Sequence, residues 1–383
     1  MRRILTTVVA LVVLIVPLAA TEAFANTEHG GPNGVGPVRA ATYNLYVGAD
    51  IFRINDAEDP EDIPLIVAEI MQIVMATDFP ERSHAIADQI AKNRPHLIGL
   101  QEVSLIRTQS PGDSIIGGTI PAEDVLYDYL NLLLDALAAR GLRYEVAAVV
   151  ENADVELPMF AGIGDSGPLF DDIRLTDRDV ILAQRGVKTS NEMAANYTNN
   201  LIIPIAGTDV EFLRGYVAVD AKIRKSWYRF VNTHLEVWFP DPIPNIQGAQ
   251  AFELATGLAP ETKPIILVGD FNSSPEDIPA DLPPYWIMTA AGYVDTWTRR
   301  VGKPRKGFTC CQNETLTNPV SLLDERIDLI FVRNDTDFPA WPDLGPVKAR
   351  VLGARERDKT PSGLWPSDHA GVAAKLIIPV RWK

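Results

Sequence analysis

Short apolar or alternating segments recur along the chain and predict a protein built largely from strands. They are rich in Val, Ile, Tyr and Phe and are bounded by Gly, Pro, Asn or Asp, which is typical of strands in globular proteins. The predicted strands span residues 38–46, 96–103, 144–150, 179–183, 200–205, 210–223, 227–235, 265–270, 326–332, 347–352 and 371–379.

Apolar residues spaced three and four positions apart predict a smaller number of helices. The predicted helices span residues 63–77, 81–93, 122–140 and 244–258. Gly141 follows the third of these and is a natural stop for a helix. Two segments rich in Gly, Pro and acidic residues, 110–121 and 154–172, are predicted to be long surface loops.

The order of these elements predicts the fold class α+β. Strands and helices do not alternate strictly, and no internal repeat is present in the sequence. Two mixed β-sheets packed face to face, flanked by helices on the outside, would bury this many apolar strands. A chain of this length can form such a sandwich as one unit and bury a sizeable core.

The start of the chain predicts export. Basic residues precede an apolar run from Ile4 to Ala20, and a small-x-small site ends at Ala25, so residues 1–25 are interpreted as a secretory signal peptide. The alternative is a membrane anchor, but the run is shorter than the ~20 residues that a spanning helix needs. We therefore expect a secreted, extracellular protein with no stable membrane insertion.

The remaining chain divides into a flexible lead-in, residues 26–37, and a domain, residues 38–383. The domain is expected to act as a monomer. Its two cysteines, Cys310 and Cys311, are adjacent and form either a strained vicinal disulfide or two free thiols. No Cys/His cluster in the sequence suggests structural zinc.

The formal net charge of −15 restricts the classes of partner. An acidic chain does not wrap a polyanion by bulk electrostatics, which argues against a histone-like or repressor-like binder. Charge alone does not exclude a nuclease, because an enzyme needs to bind anions only locally. The charge also suits an enzyme that concentrates carboxylates around a divalent cation.

Polar residues stand where the predicted strands end, which is where sites are usually built on a rigid scaffold. Oxygen donors of Asn, Asp and Glu are the ligands that Mg²⁺ prefers, and histidines beside carboxylates suit proton transfer. The residues concerned are Asn44, Glu102, His234, Asp270, Asn272, Asp328, Asp368 and His369. The sequence thus indicates metal-assisted chemistry at one edge of the strands.

The segments that carry these residues are LQEV, NTHL, GDFN, RID and SDH, in this order. Together they resemble the endonuclease/exonuclease/phosphatase superfamily, which includes deoxyribonuclease I, exonuclease III-type repair enzymes, bacterial sphingomyelinases and inositol polyphosphate 5-phosphatases. The resemblance runs from Ala41 to near Ile378 and covers nearly all of the predicted domain. It implies a four-layer αββα sandwich with the site at one rim of the two sheets.

The resemblance also implies a cofactor and the residues that bind it. Asn44 and Glu102 resemble residues in or near the Mg²⁺ coordination shell, and Asp368 is close enough in sequence to reach the metal or its waters. Mn²⁺ and Ca²⁺ are alternatives to Mg²⁺. Arg178 stands near the position of a phosphate-binding arginine in the deoxyribonuclease branch.

The remaining implied roles are catalytic. Asp270 resembles the residue that orients or deprotonates the attacking water, and Asn272 resembles a neighbour that contacts the phosphate. His369 resembles a histidine that binds phosphate and handles protons, held by Asp328. His234 matches the NTHL histidine of the deoxyribonuclease I and sphingomyelinase branches. The expected activity is hydrolysis of a phosphodiester by water with Mg²⁺ assistance.

The substrate remains open between several alternatives. A nuclease acting on nucleic acid is the first expectation, because His234 and the order of motifs match the deoxyribonuclease branch. A sphingomyelinase- or phospholipase C-type enzyme acting on phospholipid is the second, since export and the aromatic residues Trp238 and Phe239 would suit a membrane interface. A phosphomonoesterase is a further alternative. An inactive binding module on the same fold is the alternative outside the enzyme class.

Overall fold

Two mixed β-sheets lie at the centre of the fold, packed face to face. The structure is a computed structural model that describes residues 36–205, 208–240, 245–334 and 344–379. The predicted signal peptide, and all but the last two residues of the predicted lead-in, lie outside the described residues.

The larger sheet contains eight strands. They are β1 (Val38–Asn44), β2 (Leu97–Gln101), β3 (Leu105–Gln109), β4 (Asp124–Asp128), β5 (Tyr144–Gly164), β6 (Gly167–Gln184), β15 (Lys348–Leu352) and β16 (Gly371–Leu376). Their order is β15-β16-β1-β2-β6-β3-β4, with β5 paired to β6. The central pair β1–β2 is parallel, whereas β1 and β16 are antiparallel.

The second sheet contains six strands, and a separate pair forms a two-stranded sheet. The six are β7 (Lys188–Asn196), β10 (Gly215–Ile223), β11 (Ser226–His234), β12 (Ile265–Asp270), β13 (Val294–Asp295) and β14 (Asp328–Arg333). Their order is β13-β14-β12-β11-β10-β7. The separate pair is β8 (Leu201–Ile205) with β9 (Thr208–Phe212).

Helices cover the outer face of each sheet. The α-helices are α1 (Ile63–Ala76), α2 (Phe79–Asn93), α3 (Tyr129–Ala138), α4 (Ile246–Leu258) and α5 (Pro284–Ala290). Short 3-10 helices span Ile51–Asp56, Ser114–Ile116, Pro279–Asp281, Thr296–Arg299 and Glu356–Asp358. In the described part of the chain no single helix is long and apolar enough to cross a membrane; α1 and α2 meet that length and composition only as a pair bent by 46°.

Three apolar cores join these layers, because each sheet presents alternate side chains to its two faces. The inner faces of the two sheets meet in a core that includes Phe230 and Ile266. The larger sheet packs against α1, α2 and α3 around Phe79, and the second sheet packs against α4 and α5 around Phe271. The predicted four-layer αββα sandwich of class α+β is confirmed.

Several sequence-based predictions of local structure were wrong. Residues 154–172 were predicted to be a loop but belong to the long antiparallel hairpin of β5 and β6. Across it Arg174 contacts Asp154 in an ion pair, so this acidic residue is a paired side chain of a strand. The helix predicted from residue 122 begins only at Tyr129, because Asp128 caps it by accepting a hydrogen bond from the Leu130 amide.

Candidate active site

The ends of five strands from both sheets meet at one rim of the sandwich. His234, Asp270 and Asp328 lie side by side across β11, β12 and β14, since each is the register partner of the next. Asn44 ends β1 and is the register partner of Gln101 at the end of neighbouring β2, which places Glu102 just beyond it. The strand ends therefore fix the positions of these side chains before any loop is considered.

Asn44 joins the two halves of this rim. Its Nδ2 donates hydrogen bonds to Oε1 of Glu102 at 2.9 Å and to Oδ2 of Asp270 at 3.1 Å. Its Oδ1 accepts from the Tyr46 amide at 2.9 Å. The buried Asn44 side chain thus turns its amide nitrogen toward the carboxylates, which is the arrangement of a residue that positions both of them.

Glu102 and Asp368 face one cavity and form a hard oxygen donor set. The other carboxylate oxygen of Glu102, Oε2, accepts from the Val47 amide at 2.8 Å. Burial and then the nearby carboxylate of Asp368 raise the pKa of Glu102 to about 7. Two partly buried carboxylates that oppose each other's ionisation are stabilised by a divalent cation between them, so this pair fits Mg²⁺.

The backbone holds three residues of this rim in the left-handed region. The φ angles are +62° at Tyr46, +53° at Glu102 and +47° at Asn272. Residues other than Gly rarely adopt this backbone conformation, which costs of order 1–3 kcal/mol where the surrounding structure enforces it. Its occurrence at three residues around one cluster is typical of a functional site.

Asp270 lies between two histidines. Its Oδ2 is 3.7 Å from Nε2 of His234 and 3.7 Å from Nδ1 of His369, and its Oδ1 accepts from the Asn272 amide at 2.9 Å. Burial raises the pKa of Asp270, but His369 and His234 outweigh burial and hold the pKa below its ordinary value. Asp270 is therefore an ionised carboxylate at neutral pH.

His369 is held by Asp328. Its Nδ1 lies 2.8 Å from Oδ2 of Asp328, and its backbone amide donates to the Ser367 hydroxyl at 3.1 Å. Burial opposes protonation of the imidazole, but the carboxylates of Asp328, Asp270 and Asp368 raise the pKa of His369 well above its ordinary range. This histidine is consequently an imidazolium at neutral pH, with Nε2 on the side of the ring away from Asp328.

His234 has the opposite electrostatic environment. Burial and then Arg214 lower the pKa of His234 to about 3, so the imidazole is neutral. The guanidinium of Arg214 lies 3.1 Å from Nδ1 of His234 and can only donate there, which puts the imidazole proton on Nε2 toward Asp270. The side-chain nitrogen of Asn272 lies 3.3 Å from that Nε2 and donates to the Leu235 carbonyl at 2.9 Å.

Arg178 is placed away from this cluster. Its Nε donates to the Val103 carbonyl at 2.9 Å, and its guanidinium forms a 2.6 Å ion pair with Asp128. These contacts tie the loop after Glu102 to the start of α3. Arg178 therefore supports the backbone that carries Glu102, and the structure does not bring it to the other predicted site residues.

Arg214, which was not among the predicted site residues, lies in the cavity where Arg178 was expected. It pairs with the buried carboxylate of Glu236 at 3.3 Å and contacts His234. The prediction of a single strand over residues 210–223 placed Arg214 inside that strand. In the structure Arg214 lies in the connection between β9 and β10. Asp177 was missed as well; it lines the same cavity as Arg214.

Glu102, Asp368 and Arg214 line a cavity of about 320 Å³ that is called the catalytic cavity below. Among the described residues, the charged side chains that line it are Asp50, Glu102, Asp177, Arg214, Glu314 and Asp368. Its wall also contains Tyr46, whose hydroxyl donates to the Glu314 carbonyl at 3.0 Å. The volume lies in the range of ~300–1,000 Å³ that small-molecule sites occupy.

The fully buried Arg82 holds the loops behind this rim. Its guanidinium donates to the carbonyls of Leu45 and Pro366 at 2.7 and 3.0 Å, and to those of Tyr46 and Thr77. A second buried contact joins the two sheets, where Gln101 donates to Asn232 at 2.5 Å. Both residues position the segments that carry Asn44 and Glu102.

The adjacent cysteines lie beside the site, and the structure joins Cys310 and Cys311 in a disulfide. The next residue, Gln312, donates its backbone amide to the Asp368 carbonyl at 2.8 Å. The two cysteines therefore belong to a segment that contacts Asp368.

The sequence matches the model of the Endonuclease/Exonuclease/phosphatase family over residues 41–369. A search of curated proteins finds no match. Similar solved structures include an endonuclease/exonuclease/phosphatase from Beutenbergia cavernae, with 19% identity, a TM-score of 0.52 and coverage of 90% of this chain and 72% of that chain.

Two further structures come from Bacteroides thetaiotaomicron. An endonuclease/exonuclease/phosphatase family protein has 17% identity and a TM-score of 0.51, with 90% of this chain and 98% of that chain covered. A mannosyl-6-phosphatase has 17% identity and a TM-score of 0.50, with 89% and 100% covered. At this level of identity the structures establish a shared fold.

Proposed function

Because the chain belongs to the endonuclease/exonuclease/phosphatase family, we propose that it is a divalent-metal-dependent hydrolase of phosphodiesters. The observation that carries this proposal is the position of Asp270, an ionised carboxylate flanked at 3.7 Å by one neutral and one protonated histidine. Groups whose environments separate their protonation states in this way are the usual acid and base partners of a catalytic site.

Mg²⁺ is the proposed cofactor, with Mn²⁺ or Ca²⁺ as alternatives. Glu102 and Asp368 would hold the ion, because their carboxylates face the catalytic cavity and oppose each other's ionisation. Asn44 would keep Glu102 in place through its 2.9 Å hydrogen bond. When bound, such an ion polarises a phosphoryl oxygen and neutralises developing negative charge.

Asp270 is the proposed base for the attacking water. Its Oδ1 and Oδ2 are oriented by the Asn272 amide and the Asn44 side chain, at 2.9 and 3.1 Å. An oriented, ionised carboxylate can accept a proton from water that attacks phosphorus. His234, neutral and with its proton on Nε2, faces the same carboxylate and maintains its ionised form. Asn272 is also a proposed phosphate contact.

His369 is the proposed phosphate-binding acid. Asp328 holds it through Nδ1 and favours the imidazolium, which leaves the Nε2 proton to donate to a phosphoryl or leaving oxygen. Arg214 is the guanidinium that lines the catalytic cavity. We place the phosphate-binding role predicted for Arg178 at Arg214.

The natural substrate and location belong to the proposal too. Nucleic acid is the first expectation from the sequence, with phospholipid second. The structurally similar mannosyl-6-phosphatase is named for a phosphomonoester, so that class has to be included in any assay. The basic and apolar pattern of residues 1–25 supports secretion, and we propose a monomeric extracellular enzyme.

A parallel assay tests the reaction class. Purified protein is incubated with plasmid DNA, RNA, sphingomyelin vesicles, bis-p-nitrophenyl phosphate and p-nitrophenyl phosphate, each with Mg²⁺ or with a chelator. Chelator-sensitive hydrolysis of a diester supports the proposal, and Asp270→Asn should lower it by about 10²-fold or more. Glu192→Asn, at an exposed position on β7, is the control. Hydrolysis of the monoester alone, or activity that Asp270→Asn leaves near wild type, would refute the proposal.

A further inference from the structure

A second cavity, here called the apolar cavity, opens beside the catalytic cavity. Its volume is about 330 Å³, roughly twice the ~150 Å³ of an apolar cavity large enough for benzene. Successive turns of α1 form one wall with Val67, Ile70, Met71 and Val74, which share a helix face at three- and four-residue spacing. The opposite wall is formed by the β5–β6 hairpin.

The walls of this cavity are hydrocarbon. On β5 they present Val155 and Leu157, and on β9 they present Val210 and Phe212. Among the described residues that line it, the ionisable side chain is Asp177, which stands at the boundary with the catalytic cavity. An apolar cavity of this kind gains free energy when it takes up hydrocarbon and offers few partners to polar groups.

The two cavities are continuous. Ile51, Ala153, Leu175 and Phe212 line both of them, as do Val47 and Asp177. The amide of Val47 donates to Oε2 of Glu102 at 2.8 Å. The wall of the apolar cavity is therefore one hydrogen bond away from the carboxylate that we propose as a metal ligand, and a single ligand can occupy both spaces.

Continuity determines what kind of ligand fits. One end must be a phosphoester, if the proposed function holds, and the part that enters the second cavity must be apolar. Nucleotides fit this pair of cavities poorly, because sugars and base edges need polar partners. The catalytic cavity is also a poor path for a polyanion, since its described lining contains five carboxylates against one cation, Arg214.

Resting on the proposed function, we infer that the apolar cavity binds the hydrocarbon chain of the substrate, so that the natural substrate is a lipid-type phosphodiester. The phosphate lies in the catalytic cavity near Glu102 and Asp368. The chain extends past Ala153 and Phe212 and lies between α1 and the β5–β6 hairpin. Hydrolysis adds water across one P–O bond, releasing an alcohol and a phosphomonoester.

A binding measurement tests the inference without turnover. The Mg²⁺-loaded protein is titrated in a calorimeter with n-octylphosphonate and, separately, with methylphosphonate. The octyl compound is kept below its micelle concentration. Burial of seven further carbon atoms should tighten binding of the octyl compound by about tenfold or more. Equal affinities of the two compounds for the wild-type protein would overturn the inference, whatever the variants do.

Matched variants locate the chain. Val155→Phe fills the apolar cavity and should remove most of the preference for octylphosphonate over methylphosphonate. Val146 is exposed on the same strand, so Val146→Phe should leave this preference unchanged. Ala153→Leu, at the boundary between the cavities, is a second blocking variant if Val155→Phe lowers the melting temperature strongly. An octyl preference that survives both blocking substitutions would place the chain elsewhere and overturn the inference.

Turnover separates this inference from the proposed function. The substrates are methyl and octyl p-nitrophenyl phosphate, compared with a single-stranded DNA oligonucleotide. A KM that falls with chain length in wild type but not in Val155→Phe supports the inference. Hydrolysis without chain-length dependence, or a higher kcat/KM for DNA, would refute it and leave the proposed function standing. Octylphosphonate binding without any hydrolysis would refute the proposed function instead.

Discussion

Nδ1 of His369 lies 2.8 Å from Oδ2 of Asp328, and both side chains are buried at the rim of the second sheet. Asp328 is fixed in turn by its place in β14, and its backbone amide donates to the Thr309 hydroxyl at 3.1 Å. The contact turns Nδ1 of the imidazole toward Asp328 and leaves Nε2 on the opposite side of the ring. The position of Asp328 in β14 therefore determines which carboxylate stabilises the imidazolium of His369.

Asp328→Asn should lower the pKa of His369 because it removes the first of the carboxylates that stabilise the imidazolium. If the imidazolium binds phosphate, the alkaline limb of the kcat/KM profile should move to lower pH and the activity near neutral pH should fall. The measurement is kcat/KM for bis-p-nitrophenyl phosphate between about pH 5 and 9. An unchanged alkaline limb would mean that another group sets it.

The raised pKa of His369 also makes the stability of the folded protein depend on pH. The pKa of His369 is higher in the folded protein than the ~6.5 of an unfolded chain, so protonation favours the folded state. The stabilisation is fully present below about pH 6.5 and is lost as the pH rises through the folded-state pKa. A smaller loss of melting temperature across this range in Asp328→Asn would agree with that assignment.

Glu102→Gln should raise the Mg²⁺ concentration needed for half-maximal activity. The substitution keeps the size of the side chain but removes a charge from the pair with Asp368. We expect an increase at least as large as the ~10–100-fold that loss of an outer-shell partner typically causes. A Mg²⁺ titration of the hydrolysis rate measures it, with Glu192→Gln as the exposed control. The same half-maximal concentration in both variants would remove Glu102 from the metal site.

One pattern in the sequence predicted both the strands of the fold and the polar residues at the rim. Apolar runs that end in Asn, Asp, Glu or His mark both a strand and its functional end, as at Asp270 after residues 265–269. The order of such segments carries the family pattern. The structure adds the register that sets His234, Asp270 and Asp328 side by side, while the roles of these residues stay predictions.

Features that depend on distant contacts were not predictable from local pattern. Residues 154–172 of the β5–β6 hairpin looked like a loop because they are rich in Gly, Pro and acidic residues, and the ion pairs of Asp154 with Arg107 and Arg174 form only after folding. The walls of the apolar cavity come from α1, β5 and β9. In the sequence each of these elements is an ordinary apolar segment, so the cavity could not be predicted from any one of them. Arg214 could be assigned to the site only once β9 and β10 were seen to be separate strands.

Arg214→Met should raise the pKa of His234 from about 3 toward its ordinary value, although burial will keep it low in part. Arg214→Lys is the matched control, because it retains the positive charge and should leave the pKa of His234 low. Side-chain NMR of the histidine between about pH 4 and 7 follows the titration. A value that is equally low in both variants would mean that burial alone keeps His234 neutral.

Arg82→Met tests how the scaffold supports the rim. Methionine retains apolar bulk next to Phe79 but leaves the carbonyls of Leu45, Tyr46 and Pro366 without their buried donor. An unsatisfied buried polar group costs roughly 1–3 kcal/mol, so the free energy of unfolding should fall by about 3 kcal/mol or more in urea titrations. Activity should fall as well under conditions where the variant is folded, because these carbonyls flank Asn44 and the loop of Asp368. Lys92→Met, on the exposed side of the same helix, should change neither quantity by more than about 0.5 kcal/mol or its equivalent in rate. Full activity in folded Arg82→Met would show that the strand ends alone hold the rim in place.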